Sequence, residues 1–521
     1  MKEVMKFQEV FNMSKYIAFN NISLNTFLIK LMFIMVFMGG FSLSALGKSI
    51  IIGKFQAPIN HHDYEILKEV AIIAEIPVEK FRHYKRNHYI VGKEGFLYWD
   101  EEKNGIIDGG DSPVFGTVVR SKNAYVTDKY GYIVGISINK TKFDNIEILN
   151  KFKKIIAINL SGNNVGDIDL YDLPNLRFLN IFESNELRSL TKLSNINNLA
   201  FFKVNGLNTP DFKKFTGVEN LRKIEITSMG IESFTGLENL PNLKEAHIIA
   251  NGKKTAKNFK SFSGIPKGHK LENLKLSTSV TTSIHGAANF THLKSLELWA
   301  SNPSLTDFSP LSKLKKLEEL ELTVSGINDF SFLSAMPKLK QIITYHVPVT
   351  SLKGLDAAKN LEILELNVGK LDRVEGLDGN TQLKTLILND HKITKVSGLK
   401  KLKKLNVLDL SNNKITKIEG LDDNLCLEKL WVAGNPIENF ENIFHLPLLG
   451  EMGVDKTKIS EFPNWKNLNH LHRLSVDKGQ LNKELFTPGY FYSFVPIKDF
   501  DMQMRQAKPI TDKERKQYNC I

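Results

Sequence analysis

The sequence LNVLDLSNNKITKIEGL, residues 405–421, contains the pattern that decides the fold. Its apolar positions are Leu405, Leu408, Leu410, Ile415, Ile418 and Leu421, and Asn413 lies between the two apolar groups. The central LxL segment alternates apolar and polar side chains, as a short strand does when its leucines point to one side. One such unit cannot bury its own leucines, so the pattern predicts a stack of similar units.

The first leucine of this unit recurs along most of the chain. It returns every 22 residues at Leu317, Leu339, Leu361, Leu383, Leu405, Leu427, Leu449 and Leu471. Towards the N-terminus, at spacings of 21 to 28 residues, the position is filled by Leu293, Leu271, Leu243, Leu221, Leu199, Leu176, Ile155 and Ile133. These units predict a β-rich α/β solenoid, a curved arc of about 16 turns with a parallel β-sheet on its concave face.

The ninth position of several units holds an asparagine, as at Asn163, Asn413 and Asn435. We expect it to satisfy backbone groups in the turn that leaves each strand. Other residues stand there in some units, for example His391 and Thr457, so this ladder of asparagines is incomplete.

These motifs resemble the 22-residue class of leucine-rich repeats found in the internalins of bacterial surfaces and in a eukaryotic phosphatase regulatory subunit. The resemblance covers residues 133–484, which are expected to form the solenoid. It implies a protein-binding function without naming the partner, because the class binds many unrelated proteins. No LPxTG-type wall anchor is found in the sequence.

Both ends of a solenoid need a cap, since an open end exposes core to water. Residues 48–132 are expected to form the N-terminal cap, with a helix over residues 62–75, and resemble the caps of plant-type bacterial repeat proteins without their cysteines. Residues 485–521 are expected to form an aromatic C-terminal cap and a polar tail that is loose beyond Arg505.

An uncharged apolar run at residues 31–47, between Lys30 and Lys48, has the shape of a signal peptide. Small residues place the cleavage site after Gly47. Residues 1–47 are therefore predicted to be an export signal, or alternatively an uncleaved membrane segment. Either reading places the protein outside the cytoplasm, in the periplasm, at the cell surface or secreted.

Composition and motifs favour a binding protein over an enzyme. The net charge of +12 is mild for 521 residues and does not require nucleic acid as a partner. No catalytic, metal or cofactor motif is present, so no cofactor and no metal is expected. Cys426 and Cys520 could stay as two thiols or form one bridge. The alternative function is a translocated effector with an unrecognised activity in the N-terminal region.

The outward side chains of the strands should form columns across the concave face. In the middle units these columns hold unexpectedly large apolar residues: Trp299, Ile343, Tyr345, Ile363, Ile387, Val407 and Trp431. Carboxylates accompany them at Glu297, Glu319, Glu321 and Glu365. A cluster of this kind is typical of the centre of a protein interface, although outward apolar residues can also cover one another or follow strand propensity.

The predicted partner of a monomeric chain is thus a protein with a basic, partly apolar surface. A second outward cluster, Phe178, Phe182 and Phe201, is expected either to bind as well or to be covered by the cap. The lysine-rich insertion at residues 251–270 is interpreted as a solvated loop.

Overall fold

The computed structural model describes residues 49–51, 58–85, 89–91, 97–99, 509–520, and 123–477 apart from gaps of at most eight residues. The predicted signal or membrane segment at residues 1–47 lies outside these residues, as do residues 251–258 of the lysine-rich insertion. In the described part of the chain, no helix has the length and apolar character needed to cross a bilayer.

An N-terminal cap precedes the repeats. Its strands are β1 (Ser49–Ile51), β2 (Pro58–Asn60), β3 (Arg82–Lys85), β4 (Tyr89–Val91), β5 (Leu97–Trp99) and β6 (Asn123–Thr127). The helix expected over residues 62–75 is α1 (His61–Ile73), whose first turn is capped by the Asn60 side chain. The buried Asp63 carboxylate accepts a hydrogen bond of 2.7 Å from the Ile133 amide and so ties α1 to the first repeat.

The repeat region continues the strand series. Its strands are β7 (Ile133–Ile138), β8 (Ala157–Asn159), β9 (Asp167–Tyr171), β10 (Phe178–Ile181), β11 (Ser189–Ser194), β12 (Phe201–Leu207), β13 (Lys223–Ser228), β14 (Glu245–Ala250), β15 (Asn273–Thr278), β16 (Ser295–Ala300), β17 (Glu319–Val324), β18 (Gln341–Tyr345), β19 (Ile363–Asn367), β20 (Arg373–Val374), β21 (Thr385–Ile387), β22 (Lys395–Val396), β23 (Val407–Asp409), β24 (Lys429–Trp431), β25 (Glu451–Gly453) and β26 (Arg473–Ser475). Short 3-10 turns lie at Val78–Lys80, Ile146–Lys151, Leu237–Asn239, His285–Asn289, Ser309–Lys313, Ser331–Leu333 and Leu355–Ala357.

One parallel ladder runs through the solenoid. It begins at β7, which pairs antiparallel with cap strand β6, and passes through β8, β10 and β12 to β19, then through β21 and β23 to β26. Smaller parallel pairs, β9 with β11 and β20 with β22, lie on the return path of the chain. Each predicted unit contributes one strand, and Ile133 opens the ladder as expected.

The solenoid fold predicted from the leucine spacing is confirmed. Complete turns number about 14, slightly fewer than the predicted 16. The difference arises at the ends, where β7 joins an antiparallel cap strand and the chain beyond residue 477 is not described until residue 509.

Leucines fill the interior, and phenylalanines replace them in the middle of the solenoid. Leu405, Leu408 and Leu410 are fully buried, as are their equivalents in the neighbouring units. Phe234 is packed against Phe212, Phe259, Phe262 and Phe290, with ring centroids 5.0–6.2 Å apart. Edge-to-face packing of this kind adds to the burial of area that stabilises the stack.

The ninth-position asparagines bond as predicted. The Asn413 amide donates to the carbonyls of Leu388 at 2.8 Å and Leu410 at 2.9 Å, while its oxygen accepts from the Ile393 amide at 3.0 Å. Where the sequence departs from asparagine, His391 takes over both functions. Its Nε2 lies 2.8 Å from the Leu366 carbonyl, and its Nδ1 accepts from the Leu371 amide at 3.2 Å.

The C-terminal tail differs from the loose segment that was predicted. Within residues 509–520 a short helix, α2 (Asp512–Gln517), is closed by a capping box from Thr511 and Glu514. Cys520 forms a disulfide with Cys426, at a Cα–Cα distance of 5.4 Å, which resolves the two alternatives for the cysteines. Arg515 binds Glu428 through two hydrogen bonds of 2.7 and 3.2 Å, so a covalent and an ionic contact fix the tail to the solenoid.

Candidate interaction surface

The residues predicted to bind a partner all lie at outward positions of one face. Pleating sends alternate side chains of each strand to opposite sides, and the in-register pairing stacks equivalent positions into three columns. The first column holds Glu319 and Ile363; the second holds Glu297, Glu321, Ile343, Glu365, Ile387 and Trp431; the third holds Trp299 and Tyr345. The sequence pattern therefore placed these side chains on the correct face.

Two aromatic side chains are the most open of this set. Trp299 is 47% and Tyr345 is 38% exposed, whereas Ile343, Ile363 and Ile387 are half-buried. Trp299 on β16 lies beside Thr323 of β17, and Tyr345 is on the next strand, so their strands are roughly 10 Å apart. That spacing leaves room for one partner side chain between the two rings.

Carboxylates border these rings. Glu297 and Glu321 are neighbours in register on β16 and β17, and Glu365 lies two strands further along the same column, beyond Ile343. We call Trp299, Tyr345, Glu297, Glu321 and Glu365 the aromatic–acidic patch.

Burial governs the electrostatics of the patch. It raises the pKa of the Glu321 carboxyl, and the nearby Glu297 charge raises it further, while a hydrogen bond from the Trp299 side chain acts in the opposite direction. Burial alone raises the pKa of Glu365. It also raises the pKa of the Tyr345 hydroxyl, with smaller contributions from the surrounding glutamates. A partner cation would stabilise these carboxylates in their charged form.

Internal cations neutralise most other glutamates on the strands but not those of the patch centre. Lys294, Lys340 and Lys384 pair with Glu272, Glu318 and Glu362, each from the preceding turn, at 2.6–2.9 Å. Glu297 is likewise paired with Lys275 at 2.5 Å. Among the described residues, no Lys, Arg or His forms an ion pair with Glu319, Glu321 or Glu365.

Sequence reasoning missed the pairing of Glu297, although its signal was present. Lys275 occupies the same unit position one turn earlier, as its in-register pairing with Glu297 shows. Opposite charges at one unit position of successive turns are therefore the pattern to search for.

Trp431 is separated from the patch by its own contacts. The Arg473 guanidinium lies over the Trp431 ring, 4.9 Å from its centroid, and is held there by Glu451 at 2.9 Å. Glu451 also binds Lys429 at 2.8 Å. Trp431 is consequently half-buried, and the expected continuous surface from Trp299 to Trp431 divides into an open part and a self-covered part.

The phenylalanine cluster near the N-terminal end is covered rather than open. Phe178 and Phe201 are 2% and 6% exposed, and their ring centroids are 5.9 Å apart. Lys203 lies over the Phe182 ring at 4.7 Å. Of the two alternatives for this cluster, the structure favours the one in which these side chains pack within the molecule.

No metal centre is found in the described part of the chain, where no group of three or more His, Cys, Asp or Glu side chains comes together. His61, part of the nearest sequence candidate, instead lies 3.8 Å from Glu65 one helical turn away.

Comparison with known proteins agrees with this architecture. The family model described as leucine-rich repeats (2 copies) matches residues 381–423 and 403–447. No curated protein sequence matches the chain. Among solved structures, a leucine-rich-repeat protein of Leptospira interrogans is similar at a TM-score of 0.53 and 19% identity, covering 66% of this chain and 88% of that one.

Two further structures resemble the chain less closely in shape. An internalin of Listeria monocytogenes gives a TM-score of 0.44 at 20% identity, covering 62% of this chain and 90% of its own. Toll from Drosophila, solved in complex with Spatzle, gives 0.48 at 15% identity, covering 63% of this chain and 46% of its own. Together with the repeat match and the Leptospira structure, the 22-residue spacing identifies a leucine-rich-repeat fold.

Proposed function

We propose that this leucine-rich-repeat protein is a non-catalytic binding protein that recognises another protein through the aromatic–acidic patch. The observation that carries the proposal is the coincidence of two exposed aromatic rings with carboxylates that have no internal cation. Large aromatic side chains in the centre of an interface supply most of its binding energy, and their surroundings exclude water.

The patch favours a partner surface that is apolar with at least one cation. A lysine or arginine entering between Trp299 and Tyr345 would meet Glu321 and Glu365, whose charges it would compensate. A cation held against an aromatic face adds about 0.5–2 kcal/mol, depending on how completely water is removed. The same carboxylates would reject an acidic surface and so contribute to specificity.

We further propose that the chain is exported and acts as a monomer outside the cytoplasm. The apolar run at residues 31–47 supports export. The Cys426–Cys520 disulfide supports it independently, because such bonds persist in oxidising compartments and are rare in the cytosol. Mass spectrometry of fractionated cells should find the mature N-terminus near Lys48 in an exported fraction; a full-length chain confined to the cytosol would contradict export.

The binding proposal is tested by comparing captured proteins. Immobilised wild-type protein and the Trp299→Ala/Tyr345→Ala variant are exposed to the same extracellular protein extract, and bound proteins are identified by mass spectrometry. Ile72→Ala is the matched control, because Ile72 is 77% exposed but lies on the cap helix. The control should retain every captured protein.

A partner of the patch should be lost from the double variant. Truncating two interface anchors removes at least about 4 kcal/mol, which is roughly a thousandfold in affinity. Capture that is equal for wild-type and double variant would reject the patch as the binding site.

A further inference from the structure

A second charged surface lies where the chain leaves the strands of three consecutive turns. Lys370, Lys392 and Lys414 occupy the same unit position in the turns that begin at Leu361, Leu383 and Leu405. The Lys392 amide donates to the Leu371 carbonyl at 2.9 Å and the Lys414 amide to the Ile393 carbonyl at 2.8 Å, so the three backbones are stacked turn upon turn.

Three residues further along, a second row of cations runs parallel to the first. Arg373 and Lys395 are in-register neighbours on β20 and β22, and Lys417 follows in the next turn. Successive cations in each row are therefore about 4.8 Å apart along the solenoid. We call the six residues Lys370, Arg373, Lys392, Lys395, Lys414 and Lys417 the basic edge; all six side chains are exposed.

Most of this charge is uncompensated. Arg373 pairs with Asp372 at 3.2 Å and Lys417 with Glu419 at 2.7 Å. Among the described residues, the other four cations form no ion pair with a carboxylate. This contrasts with the opposite edge, where Lys294, Lys340 and Lys384 are each matched by a glutamate of the preceding turn.

The basic edge is local and does not follow from the repeat itself. The preceding turn has Pro348 and Ser351 at the equivalent positions, and the following turn has Pro436 and Asn439. A general preference for lysine in surface turns would not stop at both borders.

We propose that the basic edge binds a linear sulfated polysaccharide. Two rows of cations at a regular spacing complement a chain with repeated anionic groups, and exposed lysines can follow such a chain without a preformed pocket. The two rows contain no aromatic side chain on which nucleic-acid bases could stack, which favours a glycan over a single-stranded nucleic acid. The proposal uses the export inferred above but is independent of the aromatic–acidic patch, whose charge has the opposite sign.

Heparin is the probe that tests the proposal. Binding of fluorescent heparin is measured for the wild-type protein and for the variant in which Lys370, Lys392, Lys395 and Lys414 are changed to glutamine. The control changes Lys313, Lys338, Lys353 and Lys359 to glutamine, which removes the same charge from exposed positions elsewhere on the solenoid. Circular dichroism verifies that both variants are folded.

The basic-edge variant should bind heparin at least tenfold more weakly, while the control stays within about twofold of wild type. If four cations each release one counterion, wild-type affinity should fall roughly 50-fold between 50 and 200 mM salt, and the variant's salt dependence should be shallower. Equal weakening in both variants, or no heparin binding at 50 mM salt, would overturn the proposal. Duplex DNA binding as tightly as heparin would overturn the assignment to a glycan.

Discussion

Replacing Asn413 with alanine should destabilise the solenoid by about 2–6 kcal/mol, because the side chain satisfies buried backbone groups of adjacent turns. Alanine removes the donors to the Leu388 and Leu410 carbonyls and the acceptor of the Ile393 amide. The Leu410 carbonyl keeps a second donor, the Asn435 amide at 2.8 Å. Two groups therefore lose their side-chain partner, each at about 1–3 kcal/mol.

Asn360 provides the matched control. Its side-chain amide donates to the Pro337 carbonyl at 2.7 Å, but this bond is at the surface, where water can replace it. Asn360→Ala should therefore cost less than about 1 kcal/mol. The comparison separates burial of the hydrogen bonds from the identity of the residue.

Urea denaturation followed by circular dichroism measures the difference in the free energy of unfolding. Because a solenoid can unfold in parts, hydrogen exchange of the Ile393 amide gives a local readout as well. We expect faster exchange of this amide in Asn413→Ala and wild-type exchange in Asn360→Ala. If the two variants are destabilised equally, the asparagine ladder does not have the stabilising function assigned to it.

Three further changes test other parts of the fold. Burial lowers the pKa of His391, so the unfolded chain binds more protons and stability should fall on acidification below pH 6.5, by at most about 1.4 kcal/mol per pH unit; His391→Asn should reduce this dependence of the urea midpoint, and identical profiles would contradict it. Cys520→Ser opens a bridge across 94 residues and should cost about 4–5 kcal/mol, which an unchanged urea midpoint would refute. Gly354→Ala should lower the melting temperature more than Gly420→Ala: both have positive φ, but only at Gly354 would the new Cβ lie 2.3 Å from a carbonyl oxygen, and equal shifts would contradict this steric argument.

The strands could be predicted from the sequence because leucine spacing reports the fold directly. Each unit must turn Leu405 and its equivalents inward, and a one-residue slip would expose them, so the outward positions of Trp299 and Tyr345 followed from the register. The substitution of His391 for asparagine was visible in the sequence, but its compensating bonds were not. They depend on the rotamer of a buried ring between two carbonyl-bearing turns.

Contacts between distant turns were the part that the sequence did not reveal. Arg473 covers Trp431 from two strands away, and this choice of rotamer separates an expected binding residue from the patch. The tail was predicted to be loose because residues 505–521 are polar. Its helix is held by Arg515 on Glu428 and by the disulfide, contacts between residues 87 and 94 positions apart that no local pattern encodes.

The most direct test of the aromatic–acidic patch places a photo-crosslinking benzoylphenylalanine at Tyr345 and, in a second protein, at Ile72. Both positions are exposed and apolar, but only Tyr345 lies on the patch. After irradiation in the extracellular protein extract, mass spectrometry should find a partner joined to position 345 and no adduct of that partner at position 72. A partner joined at position 72 but never at position 345 would contradict binding through this face.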